Sequence, residues 1–202
     1  MDEQLLIQDA LDGNLDAFNG LVLHYQDMAY NVAYRIMGEY DAAGDATQEA
    51  FISAYQKLAQ YHGGSFKAWL LRIVTNACYD ELRRRQRQPV APLKPELNDG
   101  ERLEDPYWIE DETASPEEQT EEAELQAAIQ HCIRALDEKF RTALVLVDVE
   151  GLDYATAAQA AGTPIGTIKS RLARARERVQ ECLQGFRELL PDLFRLSGEE
   201  TA

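Results

Sequence analysis

The sequence predicts an all-α protein: two small helical domains joined by a long acidic linker, the C-terminal one a helix-turn-helix. Three observations carry this expectation. Apolar residues recur at three- and four-residue spacing over most of the chain, the period that lines one face of a helix. Pro89, Pro92, Pro95, Pro106 and Pro116 interrupt that period in one central stretch, where a helix cannot continue. The charge is also uneven. The chain carries −16 overall, and from Pro89 to Glu124 thirteen acidic residues stand against Lys94 and Arg102, a net of −11. The expected division is residues 1–88, a linker over 89–120, a second domain over 121–190 and a tail over 191–202.

A short leading helix is expected around Leu5 to Leu11. Phe18, Leu21, Tyr25, Ala29, Val32 and Ile36 then form a strong stripe, and Gly38 supplies its stop. A second stripe (Ala46, Ala50, Phe51, Ala54, Leu58) runs from about Asp41 to Gln60 and ends at Gly63-Gly64. Ser65 suits the N-cap of a third helix whose inner face holds Phe66, Trp69, Leu70, Ile73, Val74 and Ala77. The linker's like charges keep it extended, and Tyr107-Trp108-Ile109 is its one apolar knot, a docking point or a local cluster. Beyond it, Leu125, Ile129, Cys132 and Leu136 form one stripe, and Phe140, Leu144 and Val147 another, closed by Gly151.

A short helix from Asp153 to Ala160, a turn at Ala161-Gly162-Thr163 and a long helix from Pro164 to about Gln184 then make a helix-turn-helix. Thr163 suits the N-cap and Pro164 the first helical position. Ile165, Ile168, Leu172, Ala175, Val179 and Leu183 share the inner face of the long helix. Thr167, Ser170, Arg171, Arg174 and Arg178 fall opposite, with nothing acidic between them. Arginine pairs with guanine edges in the major groove, and hydroxyls serve either base edges or phosphate. The bland alternative is a solvated basic face on a helical hairpin.

A second basic island lies at the end of the third helix. Residues 66–88 hold Lys67, Arg72, Arg83, Arg84, Arg85 and Arg87 against Asp80 and Glu81, a net of +4. Tyr61, His62, Ser65, Phe66, Lys67 and Trp69 surround the flexible Gly63-Gly64 turn before it, and aromatic groups beside a basic helix can hold an unstacked base. Trp69 fits the core better than the nucleic acid. Asp45, Gln48 and Glu49 share an exposed helix face with Ile52 and Tyr55 at its edge, a combination suited to a protein contact.

Cys78, Cys132 and Cys182 are an odd set with no Cys-x-x-Cys pair, which points to three separate thiols and to neither a disulfide framework nor a zinc site. No metal cluster, Gly-rich phosphate loop or nucleophile-base signature is visible, so an enzyme, a cofactor and a small-molecule substrate are not expected. No apolar run approaches a bilayer span and the N-terminus lacks a secretory signal, so a cytoplasmic protein without membrane insertion is expected.

The two motif blocks together resemble the bacterial sigma factors of the extracytoplasmic-function type, over nearly the whole chain. Asp45-x-x-Gln48-Glu49-x-Phe51 and the run from Phe66-Lys67-Ala68-Trp69-Leu70 through Asn76 and Asp80 to Arg83-Arg84 resemble the family's first domain. Asp148-Val149-Glu150-Gly151-Leu152-x-Tyr154 and Gly162-Thr163-Pro164 through Arg176 resemble its second. Asp137 and the Tyr154 to Ala158 helix depart from the family's usual proline and acidic residue. The resemblance implies that Asp45, Gln48, Glu49, Phe51 and Tyr55 dock on core RNA polymerase. It implies that Tyr61, His62, Ser65, Phe66, Lys67, Trp69, Asn76, Asp80, Arg83 and Arg84 serve the −10 element of promoter DNA. Tyr154, Thr167, Lys169, Ser170, Arg171 and Arg174 would serve the −35 element, and an anti-sigma factor is the further expected partner.

Charge agrees with that reading. A net-acidic chain with two basic islands binds free DNA poorly, and attachment to a large partner removes the handicap. A thirty-residue linker reaches on the order of 100 Å, so two DNA contacts can assist one another. The main rival is a stand-alone helix-turn-helix regulator with a sensing or dimerising N-terminal domain, which would bind a symmetric operator unaided. A helical enzyme and a pure interaction module are weaker rivals.

Overall fold

The computed structural model describes residues 2–87 and 116–190, without the side chains of 116–122, and every regular element in them is helical. The acidic linker and the Tyr107-Trp108-Ile109 knot lie outside the described residues. The N-terminal half consists of α1 (Glu3–Leu11), α2 (Leu15–Met37), α3 (Tyr40–Lys57) and α4 (Phe66–Arg87). The C-terminal half consists of α5 (Pro116–Arg134), α6 (Glu138–Leu144), α7 (Tyr154–Ala160) and α8 (Ile165–Leu183). A 3-10 turn at Leu58–Gln60 follows α3, and a π turn at Val145–Val149 extends α6.

Local chemistry sets the helix ends. Asp2 Oδ1 accepts from the Gln4 and Leu5 amides, and Asn14 Oδ1 from those of Asp16 and Ala17. These are N-caps, each worth about 1 kcal/mol. Gly38 closes α2 in the left-handed region at φ 76°. Ser65 Oγ accepts from the Ala68 amide as expected. The start of α8 differs: Pro164 is extended and itself occupies the cap position, so the helix begins at Ile165 and Thr163 does not cap it. Ile165 consequently stays exposed and leaves the inner stripe that Ile168, Leu172 and Ala175 form.

α2, α3 and α4 pack on one another, with α1 against α2. The α3 stripe is built of small residues (Ala42, Ala43, Ala46, Ala50, Ala54), all buried, which lets its backbone approach its neighbours closely. The buried Thr47 and Thr75 hydroxyls donate to carbonyls four residues back, so neither is left unpaired. In the C-terminal half, Phe140, Leu144, Leu146, Leu152, Ile168 and Leu172 fill the space between α6, α7 and α8.

The cysteines correct the expectation of three separate thiols. Cys132 on α5 and Cys182 on α8 form a disulfide with Cα atoms 5.7 Å apart, inside the normal range of about 4.4–6.8 Å. Packing of α8 on α5 brings together residues 50 apart in sequence, which counting cysteines does not reveal. Cys78 stays a buried thiol, its pKa pushed up to about 12 by that burial.

The two halves share one apolar core and are joined along a seam by further polar contacts. Arg35 Nη1 donates to Gln130 Oε1 at 3.2 Å, and Gln130 Nε2 donates to the Arg35 carbonyl at 3.1 Å. The buried Tyr79 hydroxyl donates to the Glu138 carbonyl at 2.8 Å and shares a hydrogen bond with the Thr142 hydroxyl. The Arg141 guanidinium donates to the carbonyls of Ile36 (2.6 Å), Leu136 (2.9 Å) and Arg134. One planar group thereby serves orphan carbonyls at the ends of α2 and α5. Burial pulls its pKa below the usual guanidinium value. Arg141→Ala is expected to destabilise the fold by about 1–3 kcal/mol by leaving the part-buried Ile36 and Leu136 carbonyls unpaired. Arg141→Lys should recover little, since a point ammonium cannot span three acceptors. Urea denaturation of the two variants measures both.

Candidate nucleic-acid interface

The loop between the 3-10 turn and α4 is held by its own groups. Gly63 and Gly64 take φ near 95° and 91°, a region that costs other residues steric strain. The Tyr61 hydroxyl donates to the Gly64 carbonyl at 2.7 Å and closes the turn. Tyr61, Phe66 and Trp69 form a mutual aromatic cluster with centroids 5.3–5.5 Å apart. Phe66 is buried and Trp69 half-buried, so the core role expected for Trp69 holds, with one edge of its ring left outside.

A cleft of about 650 Å³ opens beside this loop, lined by Glu3, Gln4 and Gln8 of α1 and by Tyr61, His62, Ser65 and Lys67. The Tyr25 hydroxyl donates to Glu3 Oε1 at 2.7 Å across it, and burial followed by that bond raises the Tyr25 pKa. The contribution of α1 to this cleft was not foreseen, because nothing in its sequence distinguishes it from a weak amphipathic helix.

Along α4, Arg72, Asn76, Asp80, Arg83, Arg84 and Arg87 are exposed. The arginine run is already matched by acids. Arg84 and Arg85 both donate to Glu81, Arg85 also to Glu39, and Arg83 to Asp80 and Glu138. The two arginines hold the Glu81 carboxyl at about 2, Arg84 more strongly than Arg85. Any phosphate arriving here trades against these pairs.

On α8, Thr167 and Arg171 are half-buried while Lys169, Ser170 and Arg174 are exposed. No salt bridge among the described residues engages Lys169, Arg171 or Arg174. The Lys169 ammonium sits 5.2 Å over the Tyr154 ring, which joins α7 to this surface. Arg178, on the same face by angle, is already engaged. It pairs with Asp137 at 2.7 Å and lies 4.5 Å over the Phe140 ring, because α6 reaches that end of the helix. Arg176 likewise pairs with Asp148 through two bonds. On α3, Asp45, Gln48, Glu49 and Tyr55 are exposed and Phe51 is half-buried against the core.

Residues 21–88 match the family described as Sigma-70 region 2, and residues 126–179 match Sigma-70 region 4. The RNA polymerase sigma-H factor of Pseudomonas aeruginosa is 36% identical over 90% of this chain and 94% of its own. The chain belongs to the extracytoplasmic-function sigma factors of the sigma-70 family. SigW of Bacillus subtilis is 33% identical over 88% of this chain and 95% of its own. SigE of Mycolicibacterium smegmatis is 36% identical over 84% of this chain, which spans 62% of that longer relative. Among solved structures, the sigma factor RpoE of Bartonella quintana, in complex with the anti-sigma factor NepR, superposes with a TM-score of 0.61 at 28% identity. That match covers 84% of this chain and 98% of the other. CnrH, in complex with the cytosolic domain of CnrY, shares the fold at a TM-score of 0.64, 23% identity and coverage of 91% and 97%.

Sigma factors are initiation factors and not enzymes. No described helix is long and apolar enough to cross a membrane. In this sigma factor, region 2 gathers the aromatic loop and the α4 face, and region 4 carries the α8 face. The engaged and unengaged arginines of α8 should behave differently. Arg174→Ala is expected to weaken binding to duplex promoter DNA. Arg178→Ala should cost no more than about 1 kcal/mol of stability and leave DNA binding unchanged. Fluorescence anisotropy and thermal melting of the two variants separate the roles.

Proposed function

We propose that this sigma factor brings core RNA polymerase to promoters in the cytoplasm by dividing the work among three surfaces. Asp45, Gln48, Glu49, Phe51 and Tyr55 on α3 dock on the polymerase. The cleft beside Tyr61, His62, Ser65, Phe66, Lys67 and Trp69 takes an unstacked base of the −10 element. Asn76, Asp80, Arg83 and Arg84 hold the strand that carries it. Tyr154, Thr167, Lys169, Ser170, Arg171 and Arg174 read the −35 element. The functional division runs 1–88, 89–120, 121–190 and 191–202, with the acidic linker spanning the two DNA contacts.

The observation that carries this reading is the α8 surface, where Lys169, Arg171 and Arg174 are left without salt bridges among the described residues while Arg176 and Arg178 are both paired. Unpaired guanidinium groups beside Thr167 and Ser170 are the chemistry of base-edge and phosphate contact. The −10 loop adds aromatic faces, and base stacking on such faces is worth about 1–3 kcal/mol per base. An anti-sigma factor fits as a regulatory partner by analogy with the Bartonella quintana complex.

The test is binding to fluorescent promoter DNA with an unpaired −10 segment, with and without core polymerase. Weak binding alone and sequence-selective binding with transcript formation in the presence of core is the expected result. Tight duplex binding without polymerase, unchanged by adding it, would overturn the reading. Within the holoenzyme, Arg171→Ala should lower promoter-specific initiation by the loss of about 1–3 kcal/mol of contact. Unchanged transcript yield from a cognate promoter would remove Arg171 from the −35 surface.

A further inference from the structure

We propose that Cys132 and Cys182 form a reversible oxidation site, a dithiol–disulfide couple through which low-molecular-weight thiols and their disulfides set the stability of the −35 surface. It rests on the reading above that α8 serves the −35 element in the cytoplasm. Small thiols keep cysteines reduced in that compartment, and a disulfide formed there is usually catalytic or redox-sensing. A sigma factor is not an enzyme, so sensing is the role that remains.

The two cysteines differ in access. Cys132 is 1% exposed within α5, whereas Cys182 is half-buried one residue before the end of α8, with exposed Glu181 and Gln184 beside it. Oxidation therefore begins at Cys182. Its thiolate attacks one sulfur of a small disulfide, forming a mixed disulfide and expelling a first small thiolate. The Cys132 thiolate then attacks the Cys182 sulfur, forming the bond seen in the structure and expelling a second. The two cysteine protons pass to the two small thiolates, so the pair loses two electrons and one small disulfide becomes two thiols. Reduction runs the same steps backwards and enters at the same accessible sulfur. Cys78 takes no part, because burial pushes its thiol up to about 12 and away from the reactive thiolate.

The bond sits where three elements meet. α5, the end of α8 and the 3-10 turn that follows it (Gln184–Leu189) pack together there, with the rings of His131 and Phe186 edge to face at 5.7 Å. The non-covalent hold at this point is thin. The 3-10 turn has no buried residue, and the fully buried stripe of α8 ends at Ala175. The cross-link also spans 50 residues, and closing a loop of that length removes much of the freedom of the unfolded chain. α6, α7 and the residues Thr167 to Arg174 all lie inside that loop. Oxidation thus stabilises the folded −35 surface as a whole, without touching any of its side chains.

The test equilibrates full-length protein in graded ratios of a small thiol and its disulfide, quenches with acid, and counts alkylated cysteines by mass. The expected result is a reversible passage from three labelled cysteines to Cys78 alone. Oxidised wild type should melt about 5–15 °C above reduced wild type, while Cys182→Ser melts alike in both buffers. The temperature at which the holoenzyme loses half its binding to a fluorescent −35 duplex, taken from a promoter it selects, should fall by a similar interval on reduction and recover on reoxidation. Cys182→Ser holoenzyme, treated in parallel, reports any effect of the buffers on core polymerase; if that variant does not fold, Cys132→Ala serves instead. Three free thiols at every ratio, or a disulfide that no ratio reduces, overturns the couple. A reversible couple that moves neither melting nor −35 binding overturns its role. Wild-type holoenzyme that binds no −35 duplex in either state overturns the promoter-contact reading instead, while the thiol count and the melting, which need no DNA, still decide the couple.

Discussion

Helices end with carbonyls that have no partner within the helix, and two of them, α2 and α5, end inside the seam between the halves. The Ile36 and Leu136 carbonyls there are only partly open to water, so a donor that addresses several acceptors at once is an advantage. Arg141 meets that need from α6, with bonds to Ile36 in region 2 and to Leu136 and Arg134 in region 4. Its position dictates much that surrounds it. Gln130 and Arg35 pair beside it, and Gly38 must lack a side chain because Arg134 passes there. The disulfide between Cys132 and Cys182 fixes α5, which carries Gln130 and Arg134, to the far end of α8. The helix that joins the seam and α8 are thus covalently one unit.

Electrostatics divides the arginines into two classes that composition alone does not separate. Arg83, Arg84, Arg85, Arg176 and Arg178 each have a carboxylate within salt-bridge distance. These exposed pairs contribute little to stability, with a median near 0–1 kcal/mol, yet they lower the local positive potential on which phosphate binding depends. Lys169, Arg171 and Arg174 remain without salt bridges among the described residues. The short net-basic stretches of the sequence therefore overstate the charge available on α4 and at the C-terminal end of α8, and understate the concentration of available charge at the centre of α8.

Much of the fold was legible because its signals are local. The stop at Gly38, the cap at Ser65, the double-glycine loop and the turn at Gly162 are short-range features of backbone chemistry, and each sits where periodicity put it. The Ala stripe of α3 and the inner face of α8 follow from helical repeat alone, apart from Ile165 at its exposed first turn. What was not legible depends on packing between distant elements. Tyr79 reads as one more aromatic on an amphipathic helix until α6 arrives to take its hydroxyl. Cys132 and Cys182 are 50 residues apart, and only the approach of α5 and α8 pairs them. Arg178 lies on the expected face by angle, but Asp137 and Phe140 of another helix claim it. The family resemblance supplied the roles of the surfaces, and the seam between them had no counterpart in any motif.

The seam also explains a tension in the surface of α4. The polar, cationic face of α4, left bare on an acidic chain, would attract the chain's own carboxylates. Region 4 offers a structured alternative: a backbone carbonyl and a hydroxyl for Tyr79, a carboxylate for Arg83 and a glycine turn for Arg72. The Arg83 pair is exposed and weak, whereas the Tyr79 and Thr142 hydroxyls meet in a buried bond. The Arg141 network is different in kind, because its bond to the part-buried Ile36 carbonyl is the one that crosses the seam, and leaving such an acceptor unpaired costs about 1–3 kcal/mol.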